Sequence, residues 1–343
     1  MNERFVRLRE LSKRLLPKVG YPILYVFCFI LFCSWTFPYG RLKDRITGSF
    51  NAQQRAAGSR EELEIDDIGS SFITGLKMKG IRLTNAASEP GKTSSETKIE
   101  EATARISLLS LLVGNHDVSF HAKAFGGTID GYFDDHGQKE KDLSATLETI
   151  DVSQLTPLVE LIGLPLEGTL SGQIKIEMPE GKASKATGSV SLETDALAVG
   201  DGKAKLKGAL ALPRLNVGTL SLSGEAKDGV LKVTKFGATG KDVEVQGEGR
   251  IQLREQATES VCDLNIRFKI NDAYRTKNDV TKSLFGVPGS TAPALFELAD
   301  ARIKQSKRPD GFYGWRARGM LGHLDLTSSA AAAPLSTPSS KTP

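Results

Sequence analysis

From Asp117 to Leu253 the chain repeatedly exchanges an apolar for a polar residue at every second position, in short runs broken by turn residues. Successive side chains of a strand point to opposite faces, so such runs predict strands with one packed face and one wet face. They include Asp117–Lys123 (DVSFHAK), Thr128–Phe133 (TIDGYF), Leu143–Leu147 (LSATL) and Leu170–Met178 (LSGQIKIEM). Gly188–Glu193, Gly218–Ala226, Val230–Thr234 and Val243–Leu253 continue the pattern. Turn signals recur between them, which favours antiparallel pairing over crossover connections. Asp228-Gly229 suits a type I′ hairpin because both central residues need positive φ. Asp201-Gly202 and Asp310-Gly311 carry the same pair, and Gly126-Gly127 reads as a bend or bulge.

Three segments depart from this alternation. Leu108–Val113 reads as a short apolar turn stopped by Gly114 and fed by a strand over Ile99–Ser107. Asp151–Ile162 (DVSQLTPLVELI) carries an apolar stripe at Leu155, Leu158, Val159 and Ile162, with Asp151 or Ser153 to cap it. Its regular helix should start near Thr156, ahead of Pro157, and end at Gly163. Asn271–Leu284 is polar and is expected to form a surface helix. Thr327–Pro343 holds Ala, Ser, Thr and Pro almost exclusively and is expected to be a disordered tail.

Ahead of the strands lies GYPILYVFCFILFCSWTFPYG, with no charge between Lys18 and Arg41. About 20 residues at ~1.5 Å each match a hydrocarbon layer of ~30 Å, so residues 19–40 are expected to anchor the chain in a membrane. Val19, Phe27, Phe29, Leu31 and Trp35 represent that anchor. Arg4, Arg7, Arg9, Lys13, Arg14 and Lys18, against Glu3 and Glu10, would hold residues 1–18 on the cytoplasmic side and export the rest. A cleaved signal peptide is the competing reading. It is disfavoured because Trp35-Thr36-Phe37-Pro38-Tyr39 resembles an interfacial aromatic belt more than a small-residue cleavage site. The exported β-rich domain would then occupy residues 41–326.

The basic excess lies in the N-terminal segment, and the net charge is only +4 over 343 residues. With no basic stripe interleaved with aromatics, nucleic-acid binding is not expected. Of three cysteines, Cys28 and Cys33 fall in the apolar run, leaving Cys262 as a small buried strand residue without an intrachain partner.

Catalysis finds no evident seat. His116, His121 and His136 lie near Asp117, Asp130, Asp134 and Asp135, but their spacing matches no metal motif. They read as loop and strand residues in water, and no metal or cofactor is expected. The glycine-rich stretches match neither phosphate-binding pattern, and no nucleophile sits in a recognisable setting. The one stretch that resembles a contact surface is Lys307–Arg318, KRPDGFYGWRAR. Aromatic and Arg residues are enriched at interfaces, which makes Arg308, Phe312, Tyr313, Trp315 and Arg316 candidate partner contacts. The alternative is a final hairpin with Phe312 and Trp315 packed under the sheet.

Ile106–Phe133 (ISLLSLLVGNHDVSFHAKAFGGTIDGYF) and Phe296–Gly319 (FELADARIKQSKRPDGFYGWRARG) resemble blocks of the type II secretion system protein N family of bacterial envelopes. Ile150–Ile174 is similar to a unit of the wider AsmA-like envelope proteins. The resemblance implies a mainly β protein with an elongated, twisted antiparallel sheet, open or curled into a groove, short helices and one N-terminal transmembrane helix. It implies a single-pass location in the bacterial inner membrane with the bulk in the periplasm, and a non-enzymatic role. Two roles follow: an accessory scaffold for other secretion-system proteins, or a carrier of phospholipid in an apolar groove. About 15 to 18 strands would reach only roughly 70 to 85 Å, too short to bridge two membranes alone, which favours the scaffold.

Overall fold

The structure, a computed structural model, describes residues 20–22, 24–29, 31–32, 35–56, 61–71, 74–85, 95–107, 110–111, 113–137, 139–203, 205–206, 210–290 and 294–329. Helix α1 (Tyr39–Ala56) leads into β1 (Glu61–Ser71), β2 (Gly75–Asn85), β3 (Ser95–Ile106), β4 (His116–Ala124), β5 (Gly127–Asp135) and β6 (Glu140–Asp151). A 3-10 turn (Val152–Gln154) and α2 (Thr156–Ile162) precede β7 (Leu166–Pro179) and β8 (Thr187–Val199). Then come β9 (Lys205–Leu206), β10 (Leu210–Ala211), β11 (Leu215–Lys227), β12 (Val230–Thr239), β13 (Val243–Gln252) and β14 (Val261–Ile270). Helices α3 (Asp272–Arg275), α4 (Asp279–Phe285), α5 (Leu295–Ala299) and α6 (Ala301–Ser306) lead to β15 (Tyr313–Met320) and β16 (His323–Ser328).

Fourteen of these strands form one antiparallel sheet in chain order, with β1 and β16 at its edges; β9 and β10 form a separate small ribbon. The mainly β reading therefore holds, and the sheet is open. Its span, at ~4.8 Å per strand, is about 62 Å, shorter than the sequence suggested. The tight turns explain the meander. Asp228 (φ 50°) and Gly229 (φ 73°) both adopt positive φ between β11 and β12, as a type I′ turn requires. Phe125 and Gly126 do the same between β4 and β5, so the bend lies one residue before the expected Gly-Gly pair.

The helix around Pro157 starts at Thr156 and ends on Gly163 in the left-handed conformation. Asp151 accepts hydrogen bonds from both the backbone and the hydroxyl of Ser153, which holds its carboxyl below the ordinary range. Asn271–Leu284 differs from expectation: it forms two short helices whose Tyr274, Leu284 and Phe285 are buried, so it is a packed segment with a wet outer side. Helix α1 opens the segment expected to be β-rich from residue 41. It runs antiparallel to β1 along the sheet edge, with Lys43 reaching the Asp66 carbonyl, Asn51 beside Leu63 and Arg55 beside Glu62. The Asn51 side chain accepts from Leu63 N (2.8 Å) and donates to Leu63 O (3.2 Å), as a neighbouring strand would. An edge that would template aggregation is thereby partly occupied.

The buried core sits at one end of the strands. There Leu166, Leu197, Leu215, Val217, Val243 and Ile270 meet Val152, Leu164 and Leu212, under Tyr274, Leu284, Phe285, Phe296 and Ile303. Aromatic rings tie the helices to the sheet: Phe285 to Phe296 at 5.4 Å, Phe296 edge-on to Tyr313 at 5.7 Å, and Tyr313 stacked on Phe268 at 5.4 Å. The Tyr274 hydroxyl donates towards the Pro213 and Arg214 carbonyls, and burial pushes its pKa up to about 12. We refer to this end as the capped end.

In the apolar N-terminal run, residues 20–22, 24–29, 31–32 and 35–36 are helical. Phe27, Phe29, Leu31 and Trp35 expose their side chains, whereas Val19 lies outside the described residues. Among the described residues no helix is long and apolar enough to cross a membrane. The expected tail lies outside them from residue 330 onward, and β16 reaches Ser328.

Candidate functional site

Cross-strand register sorts every strand from β4 to β16 into an apolar and a polar face. On the apolar face one row runs Phe120, Gly131, Ala145, Ile174, Val190, Gly224, Val233, Gly249, Leu264, Ala317 and Leu326. A parallel row runs Val118, Phe133, Leu143, Ile176, Gly188, Ala226, Leu231, Ile251, Cys262, Gly319 and Leu324. Directly opposed residues of an antiparallel pair share a face, so these rows are continuous apolar stripes across the strands. On the other face the matching row reads Ser119, Tyr132, Ser144, Lys175, Ser189 and Glu225.

The two faces are sheltered unequally. Along β7, Ile174 and Ile176 are half-buried while Gln173, Lys175 and Glu177 are exposed. Among the described residues no helix or second sheet packs broadly over β4 to β8 away from the capped end. On β6 and β14 residues of both faces are partly buried, so the contrast is sharpest on β7. Two glycines of the apolar face make room for aromatic rings. A Cβ on Gly131 would lie 2.5 Å from the Phe120 ring, and one on Gly247 would lie 2.0 Å from the Phe236 ring. Each ring occupies the space that a side chain at the glycine would need. The sheet thus presents a face of Ile, Leu, Val and Phe, with α3 to α6 packed over it at the capped end.

The polar face carries one feature that the spacing of residues did not reveal. Asp117 pairs with Asp134, Asp134 with Asp142, and Asp142 with Glu177, forming a row of four carboxylates over four strands. Burial and the neighbouring Asp117 and Asp142 raise the Asp134 carboxyl above its ordinary range, against an opposing effect of His136. His136 Nε2 lies 3.3 Å from Asp117, and His121 Nδ1 lies 2.6 Å from Asp130. Among the described residues no three His, Cys, Asp or Glu side chains are grouped so as to hold a metal ion.

The candidate contact block divides between environments. Tyr313 is buried and donates its hydroxyl to Glu297 Oε1 at 2.9 Å, while Lys307 Nζ reaches the same oxygen at 2.6 Å. Burial and this carboxylate push the Tyr313 pKa well up. Trp315, opposite Ile266, is half-buried against the core on the apolar side. Arg316 points to the polar face and makes a bidentate pair with Asp263, both distances 2.7 Å, holding that carboxyl below its ordinary range. Phe312 lies under the Arg267 guanidinium, 4.9 Å from its centroid, and Arg308 Nε approaches Asp310 at 3.6 Å in the turn before β15. The five residues do not converge on one surface. Cys262 is fully buried on the apolar side, and burial raises its thiol pKa.

No family model, curated protein or solved structure matches this chain.

Proposed function

We propose that this is a non-enzymatic, membrane-tethered protein of the bacterial envelope that holds the acyl chains of a phospholipid in the trough of its sheet. The supporting observation is the apolar face itself: continuous over the sheet strands from β4 to β16 and, among the described residues, without a covering layer over β4 to β8. Burying apolar surface is worth about 25 cal/mol per Å², so a face this extensive gains strongly from any apolar occupant and has no directional demands on it. The polar face keeps the outside of the trough in water. Residues 19–40 would anchor the chain in the inner membrane, with the sheet in the periplasm.

Native mass spectrometry of the full chain, released gently from detergent, tests this reading. Phospholipid retained in defined stoichiometry supports it. A chain that is consistently free of lipid, and takes none up from mixed micelles, refutes it.

The scaffold reading keeps one observation of its own: among the described residues β16 is an edge strand, paired on one side only, with β15. An extended segment of another secretion-system protein could add there by main-chain pairing. Crosslinking from Asp325 to a periplasmic secretion component would favour that reading.

A further inference from the structure

The strands end in a second apolar feature, on the side away from the capped end. Strand β3 leaves the sheet at Ile106 and returns as β4 at His116. The intervening connection exposes Leu111 at 47% and Val113 at 78%, next to Ile106 at 42%. Its described amides pair within it: Leu111 N donates to Ser107 O, Val113 N to Ser110 O, and Asn115 N to Ser110 O. Ser107 and Ser110 are joined by their hydroxyls at 2.9 Å, and Gly114 closes the turn with φ 86°. A turn with internally paired amides and outward apolar side chains can enter a nonpolar layer without leaving backbone groups unpaired.

The position of this turn identifies the layer. Helix α1 runs antiparallel to β1, so its N-terminal end, where residues 19–40 join it, faces the end of the sheet at which β1 turns into β2. The turn lies at that same end, since Ile106 N donates to Thr74 O. Anchor and turn therefore approach one plane from the same side. The floor of the trough also begins there, because Ile106 is paired with Val118 of the apolar row.

We infer that the connection between β3 and β4, through Ile106, Leu111 and Val113, inserts into the outer leaflet of the bilayer that holds the anchor and seats the mouth of the trough on the lipid. This rests on the reading of residues 19–40 as an anchor and of the trough as a lipid site. Arg41, Lys43 and Arg45, in the first turns of α1, lie at the level of an anionic headgroup layer in this arrangement.

The test uses the full chain carrying Cys28→Ala, Cys33→Ala and Val113→Cys, labelled with an environment-sensitive dye at residue 113. It is reconstituted into phosphatidylcholine and phosphatidylglycerol vesicles whose acyl chains bear a spin label just below the ester. The expected result is a blue shift and loss of dye emission at 113, with neither at the polar-face control Glu193→Cys. Adding Leu111→Asp should restore emission at 113. If the protein floats with the vesicles and the dye at 113 behaves as at 193, the inference is overturned while the anchor stands. If the protein does not float, the anchor falls and the inference with it. Lipid retention, measured separately by mass spectrometry, reports on the trough and is unaffected by either outcome.

Discussion

Substituting Ile174→Asp tests the trough where the argument for it is strongest. Ile174 lies on β7, midway across the sheet, between Ala145 and Val190 on the apolar face. It is half-buried, so about half of the ~1.5–3 kcal/mol of a fully buried aliphatic side chain is at stake, a stability loss of about 1 kcal/mol. The ligand loses more. A hydrated carboxylate keeps about three methylenes of an acyl chain off the floor, and at ~0.8 kcal/mol each this costs about 2.4 kcal/mol, roughly fiftyfold in affinity. Lys175→Asp places the same charge one residue along on the wet face, where neither quantity should change appreciably. The assay is equilibrium binding of a fluorescent phospholipid, alongside urea unfolding followed by tryptophan emission. Unchanged lipid binding by a folded Ile174→Asp chain would falsify the trough as the binding surface. A loss of binding matched by Lys175→Asp would show that charge, rather than the apolar floor, governs the interaction.

Asp134→Asn probes the carboxylate row. The raised pKa of Asp134 means that the native state keeps its proton to higher pH than the unfolded chain, so this group's contribution to stability falls as pH rises above ~3.9. The variant should gain a few tenths to ~1 kcal/mol at neutral pH and lose that advantage near pH 3.5, where both forms are uncharged. Paired thermal melts at the two pH values decide it, and a variant less stable than wild type at pH 7 would contradict the like-charge account. Gly247→Ala would set a methyl 2.0 Å from Phe236 Cδ1 and should destabilise by about 1–3 kcal/mol. Phe236→Leu should relieve most of that cost, and additive effects in the double-mutant cycle would exclude a clash between the two positions.

Local chemistry made the strands legible and left their arrangement hidden. The alternation of VEVQGEGRIQL predicts β13, and Asp228-Gly229 places the hairpin between β11 and β12, because each signal lies within a few residues. The start of α2 ahead of Pro157 and its stop at Gly163 were readable for the same reason. The carboxylate row was not. Asp117 and Asp134 meet only because the turn at Phe125-Gly126 fixes the register of β4 against β5. Nothing in either segment shows which residue the other will face. The helices near the core were obscured in another way: segments as short as Asp279–Phe285 and Leu295–Ala299 contain too few turns to show a helical period. One signal was present and outweighed. YGWRARGM alternates Tyr313, Trp315 and Ala317 against Arg316 and Arg318, which already assigns the aromatics to the apolar face and the cations to the wet one. Interface composition drew the five residues together where strand periodicity separates them.

The sheet's edges and faces also bear on how such a chain avoids aggregation. An open sheet of fourteen strands has two edges and, here, one apolar face, each of them a route to aggregation. At β1 the Asn51 amide of α1 occupies the main-chain groups of Leu63, so edge pairing is obstructed on that side. On the apolar face, inward curvature of the proposed trough would present a surface that a second flat sheet fits poorly. A flexible chain can follow such a surface, because each methylene gains burial independently of the next. Such a shape would select against a packed protein layer and for an acyl chain. Gly131 and Gly247 make room for aromatic rings on this face, and Gly247→Ala combined with Phe236→Leu tests whether they set the curvature: stability should recover with the smaller ring, while lipid affinity, where curvature governs it, should not.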